Sequence, residues 1–231
     1  MSKHLANLWR ANKNLVAFLF LMVLFRSAIA DWNVVPTGSM LPTIRIGDRI
    51  FVDKMAYDLR VPLTHIAIAH LGDPQRGDIV TIDSAAAHEL LVKRVVGVPG
   101  DTVALRDNVL YVNGVRADYR ALATPPMHDA APGDARYLME RFDGVSHVVR
   151  LSETAPSPVA SFGPVTVPAG EYLMLGDNRD DSADSRYFGF IPRNEVMGRT
   201  RNVAFSLDPT HLYMPRLSRF GAALDRPLAA N

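Results

Sequence analysis

A few side chains in this sequence combine a reactive group with a constrained setting. Ser39 lies in VVPTGSMLPT (Val34 to Thr43), between Gly38 and Met40, with Pro36 and Pro42 on either side. Proline restricts φ and glycine allows bends that other residues resist, so the chain itself holds Ser39 at a bend. A serine held in this way is either a turn residue or a nucleophile. Lys93 and Arg94 lie in HELLVKRVVGVPGD (His88 to Asp101), a strand-like apolar run interrupted by two adjacent cations. Side chains alternate along a strand, so Leu91, Lys93 and Val95 share one face and Val92, Arg94 and Val96 the other; one cation is expected against the core. Two chemistries are open. The stems of both cations can run out to solvent from a strand edge. Alternatively, Lys93 is desolvated until its pKa falls from about 10.4 toward neutrality, where it can accept a proton as a general base.

The third segment is GDNRDDSADSR, Gly176 to Arg186, with four aspartates, two arginines and two serines in eleven residues. As a calcium loop it fails: counted from Asp177, the sixth position is Ser182 rather than glycine and the twelfth is Phe188 rather than glutamate. It is either a solvated Asx-rich turn or a supporting ion pair. In an extended segment Asp184 and Arg186 lie on one face, where Ser182 joins them.

Other chemistries find little footing. The chain has no cysteine, which excludes thiol catalysis, disulfides and cysteine-ligated zinc. A formal net charge of +1 argues against nucleic-acid binding driven by bulk electrostatics. HELLV lacks the second histidine of a zinc helix, and His65 and His70 lack a carboxylate at ligand spacing, so both are taken as core or surface histidines. Arg76-Gly77-Asp78 opens a strand. There is no glycine-rich phosphate loop and no dinucleotide fingerprint, so neither cofactor nor metal is expected.

These side chains need a scaffold. The chain has 231 residues, 48% of them apolar and 21% charged, which suits one folded body with appendages. RIFVDKM, GDIVTID, HELLVKRVVGV, DTVALRD and VLYVNGV read as short strands, with turns at Pro99-Gly100-Asp101 and Asn113-Gly114. Residues 107–164 are richer in Pro, Ala and Ser and flank one plausible strand pair, RYLMERFD and SHVVRL; they read as an inserted, looser subdomain. β patterning returns in VTVPAGEYLMLGDN, so the predicted fold is mostly β. Residues 33–106 and 165–231 form an antiparallel catalytic body, and residues 1–32 an N-terminal anchor.

Within that N-terminal segment, Leu15 to Phe25 is an uncharged apolar run of eleven, preceded by Lys3, Arg10 and Lys13. A span takes roughly 20 helical residues. Continuing the helix to Trp32, with Arg26 snorkelling and Trp32 at the interface, makes one transmembrane helix feasible, its N-terminus in the cytoplasm. The competing expectation is a cleaved secretory segment with Ala28-Ile29-Ala30 as a small-x-small site. Either way the residues after Asp31 lie outside the cytoplasm.

Taken together, PTGSMLPT (Pro36 to Thr43), RGDIV (Arg76 to Val80), KRVVGVPGD (Lys93 to Asp101) and GDNRDDSADSRYFGF (Gly176 to Phe190) resemble, in order, the motifs of bacterial signal peptidase I. This is a membrane-bound serine endopeptidase family that removes signal peptides from exported preproteins after small-x-small sites. The resemblance implies a Ser/Lys dyad, with Ser39 as nucleophile and Lys93 as general base. It also implies an oxyanion hole from the Ser39 N–H and the Thr37 hydroxyl, with Ser182 orienting Lys93 and Asp184 and Arg186 buttressing the site. Thr37 replaces a serine more usual there, keeping the hydroxyl while adding a methyl. Val35, Met40, Ile44 and Val92 are expected to line small substrate pockets. The implied partners are preprotein signal peptides and the lipid bilayer of the inner membrane, close to the secretion translocon, with the catalytic domain on the periplasmic face. Two alternatives accompany this. One is a specialised Ser/Lys peptidase for a conjugation or pilus protein, and the other a catalytically inactive membrane-tethered binding domain.

Overall fold

The computed structural model describes residues 3–64, 66–123 and 134–225, with side chains from residue 12 onward. His65 and most of the ATPPMHDAAPGDAR stretch lie outside the described residues. Val-, Ile- and Leu-rich runs that suit a pleated, half-buried surface pair antiparallel into one large sheet. Its order is Ala30–Val34, Asp48–Asp53, Val196–Asp208, Ile79–Ser84, Glu89–Gly97, Glu171–Leu175 and Ile191–Pro192, with Met214–Pro215 added beside the long Val196–Asp208 strand. The mostly β, antiparallel expectation holds. The Val196–Asp208 strand, although central, does not announce itself in sequence. Register shifts at Thr200/Asn202 and Val203/Phe205 break its two-residue alternation.

The expected insertion is packed onto the main sheet more tightly than its composition suggests. A four-stranded sheet, Phe162–Thr166, Thr102–Arg106, Val109–Val112 and Val115–Arg116, crosses both expected boundaries, with Leu105 facing Leu110 on one side and Phe162 on the other. Val103, Leu105, Leu110, Val112 and Phe142 share one core with Val96, Leu173 and Leu175 of the main sheet. Asp118–Ala121, Ala135–Phe142 and Val145–Ser152 make a separate three-stranded sheet. The weak patterning belongs to the connecting stretches, whereas the strands between them bury ordinary apolar faces.

The N-terminal helix runs Lys3–Ala28. Among the described residues no helix is long and apolar enough to cross a membrane, so the expected transmembrane helix is seen only as a helix whose apolar part is short. Arg26 does not run free: its guanidinium bonds Asp31 at 2.6 Å and lies 4.3 Å above the Trp32 ring. Ala28 and Ala30 are buried, and Ala30 pairs with Asp53 in the sheet, so a cut after Ala30 would sever an edge strand.

Candidate active site

Ser39 sits on a loop, residues 35–47, joining the first two strands of the main sheet. Its base is closed by Val35 N–H donating to Asp48 O (2.9 Å) and Gly47 N–H donating to Val35 O (3.1 Å). Gly47 adopts φ +89°, and a Cβ there would stand 2.0 Å from Leu207 O, so the loop closes on this glycine alone. Within the loop, Leu41 N–H donates to Gly38 O and Ile44 N–H to Met40 O, winding a short turn, and the Leu41–Pro42 peptide is cis. Val35, Met40 and Ile44 point inward from it into a core shared with Ile50, Val52, Ile79 and Val203, and Val92 packs against the same cluster. The predicted pocket residues are thus together, but Met40 and Ile44 are essentially covered, at 1% and 0% exposure. Thr37 is exposed at the start of the turn.

Lys93 comes from the Glu89–Gly97 strand, which is flanked on both sides, by Ile79–Ser84 and by Glu171–Leu175. The sequence leaves open which cation faces the interior; both do, each 3% exposed. The Lys93 ammonium nitrogen lies 2.7 Å from Ser39 Oγ. Burial lowers the Lys93 pKa from 10.5 to about 8, against the opposing pull of Asp184. A neutral amine at this distance can take the proton of a hydroxyl and make it a nucleophile.

On the opposite strand face, Arg94 holds Asp177 with two hydrogen bonds, of 2.8 and 2.7 Å. Thr43 Oγ1 also donates to Asp177, linking this pair to the Ser39 loop. Burial acts to raise the Asp177 pKa, but the Arg94 charge overcomes it and the carboxyl is held below the usual range. Further in, Arg179 pairs with Glu140 (2.8 and 2.5 Å), and His147 sits 3.3 Å from Glu140 and 3.6 Å from Asp177. Burial, helped by the Arg94 charge, pushes the His147 pKa down to about 4, so the ring is neutral near pH 7. This buried network ties the strands Ala135–Phe142 and Val145–Ser152 to the site segment.

The segment Gly176 to Arg186 passes directly beneath the Ser39 turn. Asp184 accepts from Gly176 N–H (2.9 Å) and from Arg186 Nε and Nη2 (2.8 Å each), and both side chains are buried. They pair as predicted, though through a turn instead of an extended strand: Asp184 caps the short helix Ser185–Phe188. Ser182 Oγ is buried with no hydrogen-bond partner among the described residues; it lies beside Gly176, where a Cβ would come within 2.2 Å of it. No hydrogen bond links Ser182 to Lys93 among the described residues. His70 is exposed near Asp58 and Asp73, and no cluster of metal-ligating side chains is found among the described residues.

Four contributors escape sequence reasoning. Arg94 and Asp177 are 83 positions apart, Gly176 acts by lacking a side chain, and Asn178 acts mainly on backbone. The available signal was their adjacency to Lys93 and to the aspartate-rich run.

An antiparallel β body with a serine hydroxyl against a buried lysine defines a candidate hydrolase of the Ser–Lys kind. The protein-family model described as "Signal peptidase, peptidase S26" matches residues 8–205. Signal peptidase I of Pseudomonas aeruginosa is 34% identical over 224 residues, covering 90% of this chain and 77% of that one. A probable signal peptidase I-2 of Synechocystis is 32% identical over 84% of this chain and 72% of its own. A crystal structure of a signal peptidase I from Enterococcus faecalis V583 is 31% identical, covering 56% of this chain and 97% of that one, with a TM-score of 0.34. The chain belongs to the signal peptidase family, peptidase S26, and is a serine endopeptidase.

Proposed function

We propose that the protein removes N-terminal signal peptides from exported preproteins, with Ser39 as the nucleophile and Lys93 as its general base. The observation that carries this reading is the 2.7 Å approach of a buried, pKa-lowered Lys93 to Ser39 Oγ. Lys93 takes the hydroxyl proton as Ser39 Oγ attacks the scissile carbonyl carbon. The C–N bond then breaks, and Lys93 returns the proton to the departing amine. Water activated by the same lysine releases the acyl group from Ser39.

The developing oxyanion meets the exposed Thr37 hydroxyl and the Ser39 N–H, which donates to no backbone carbonyl among the described residues. Ser182 Oγ, buried and unpartnered, orients Lys93 or its proton during turnover. Asp184 and Arg186 hold the backbone at Gly176 beneath both. In this reading alanine-sized substrate residues pack against Val35 and Val92, beside the covered Met40 and Ile44, and larger ones clash. The edge strand Ala30–Val34 leads straight into the Ser39 turn and offers main-chain groups to an extended substrate.

The N-terminal helix attaches the protein to the cytoplasmic membrane through its exposed apolar side chains. Leu15, Phe18, Phe20 and Leu21 are exposed to the surroundings, and the Arg26–Asp31 pair on Trp32 marks the outer interface. The catalytic body then lies on the outer face, where preproteins emerge from the translocon. The test is cleavage of a defined preprotein by the detergent-solubilised full chain, with N-terminal sequencing of the product. Cleavage after a small-x-small site that Ser39→Ala abolishes supports the reading. Turnover persisting in Ser39→Ala overturns it.

A further inference from the structure

Asn178 is fully buried and grips the peptide units on both sides of Ser39. Its Nδ2 donates to Gly38 O at 3.0 Å and its backbone N–H donates to Ser39 O, also at 3.0 Å. The amide is itself held, because its Oδ1 accepts from Arg150 Nη1 at 3.0 Å. Arg150 belongs to the Val145–Ser152 strand, whose backbone bonds Asp177 O and Arg179 N–H on either side of Asn178.

A trans peptide is planar, with its carbonyl and its N–H pointing in opposite directions. Fixing the direction of Gly38 O therefore fixes the direction of the Ser39 N–H, which faces away from Asn178 and makes no hydrogen bond among the described residues. Fixing Ser39 O sets the plane of the following peptide, so both torsions at Ser39 are constrained. An unconstrained glycine-serine peptide could rotate and turn this donor aside, and a donor helps a transition state only when it is aimed beforehand.

We propose that Asn178, backed by Arg150, is the positioning residue that aims the Ser39 N–H at the developing oxyanion. This rests on Ser39 being the nucleophile. Asn178→Asp keeps the shape and an acceptor for Arg150 but replaces the Nδ2 donor with a carboxylate oxygen facing the Gly38 carbonyl. Arg150→Met leaves Asn178 in place and releases its amide.

The full chain in detergent is assayed for preprotein cleavage. Its affinity for a peptide boronate ending in alanine, which forms a tetrahedral adduct on serine, is measured in parallel. Asn178→Asp is expected to lower kcat about ten- to a hundredfold and to weaken boronate binding by a similar factor. KM should stay within about threefold, and the pH midpoint should remain near 8, the value burial sets for Lys93. Arg150→Met should show a smaller loss of the same pattern, and it carries the test if Asn178→Asp does not fold. Unchanged kcat and boronate affinity overturn the proposal, as does a loss confined to KM or one accompanied by a shifted pH midpoint. Ser39→Ala separates the two failures: if it retains turnover, the nucleophile assignment falls, whereas if it is inactive beside a fully active Asn178→Asp, only the positioning role falls.

Discussion

Gly176 and Ser39 approach so closely that a side chain cannot stand between them. A Cβ built on Gly176 lies 2.5 Å from Ser39 O and 2.2 Å from Ser182 Oγ. The absence of one methyl group lets the aspartate-rich segment pass under the nucleophile's turn and bring Ser182 alongside.

Gly176→Ala should therefore displace the backbone of Ser39 as well as the Ser182 side chain, and the shift of Ser39 disturbs its 2.7 Å approach to Lys93. We expect at least a hundredfold loss in kcat/KM, since displacements of about 1 Å at a reacting group cost that much. Preprotein cleavage measures it, and a thermal melt should show a fall in Tm as well. Near-normal activity in this variant would mean that the segment yields more easily than its buried hydrogen bonds imply.

The Arg94–Asp177 pair is buried on both sides, so removing one partner strands the other. Arg94→Met should destabilise the fold by about 3 kcal/mol, the usual cost of leaving a buried charge without its partner. Urea unfolding at neutral pH gives the number. Arg94→Met combined with Asp177→Asn should recover part of the loss, because the uncompensated carboxylate is then gone.

Lys93 carries a cost that its function requires. Its folded pKa, about 8, lies below its ordinary 10.5, so between these values the unfolded chain binds more protons than the folded one and stability rises with pH. Below about pH 8 the full penalty is present; above 10.5 it is gone. Lys93→Met should thus be inactive yet more stable than the parent at pH 7, by about 2 kcal/mol, with the advantage shrinking as pH rises through this window. Denaturant unfolding of both proteins at pH 7 and pH 10 checks the sign. A Lys93→Met protein less stable than the parent at pH 7 would indicate that Lys93 is not desolvated as its surroundings require.

Much of this site is legible along the chain because its parts are local. The bend at Ser39 is written in Pro36, Gly38 and Pro42, and a cation against the core in the valines and leucines around Lys93 and Arg94. Asp184 and Arg186 could be paired from spacing alone, even though a capped turn, not a strand, brings them together. What stays hidden depends on long-range packing. The two faces of the Glu89–Gly97 strand look equally apolar, and only its position between two other strands shows that both cations are buried. The Val196–Asp208 strand is masked by its bulges, since each extra residue inverts the alternation on which strand recognition depends. Asn178 is a polar residue in a polar run, and its hold on Gly38 and Ser39 exists only once 140 residues of intervening chain have folded back.

Catalysis turns on a lysine that loses its proton near working pH and so activates Ser39. Its most direct measurement is the pH dependence of kcat/KM for preprotein cleavage by the full chain in detergent, from about pH 6 to pH 10. We predict a rate that climbs with pH and levels off, with a midpoint near 8 set by Lys93, and no activity across the range in Lys93→Arg, whose guanidinium stays protonated. A profile flat from pH 6 upward, or measurable turnover in Lys93→Arg, would contradict it.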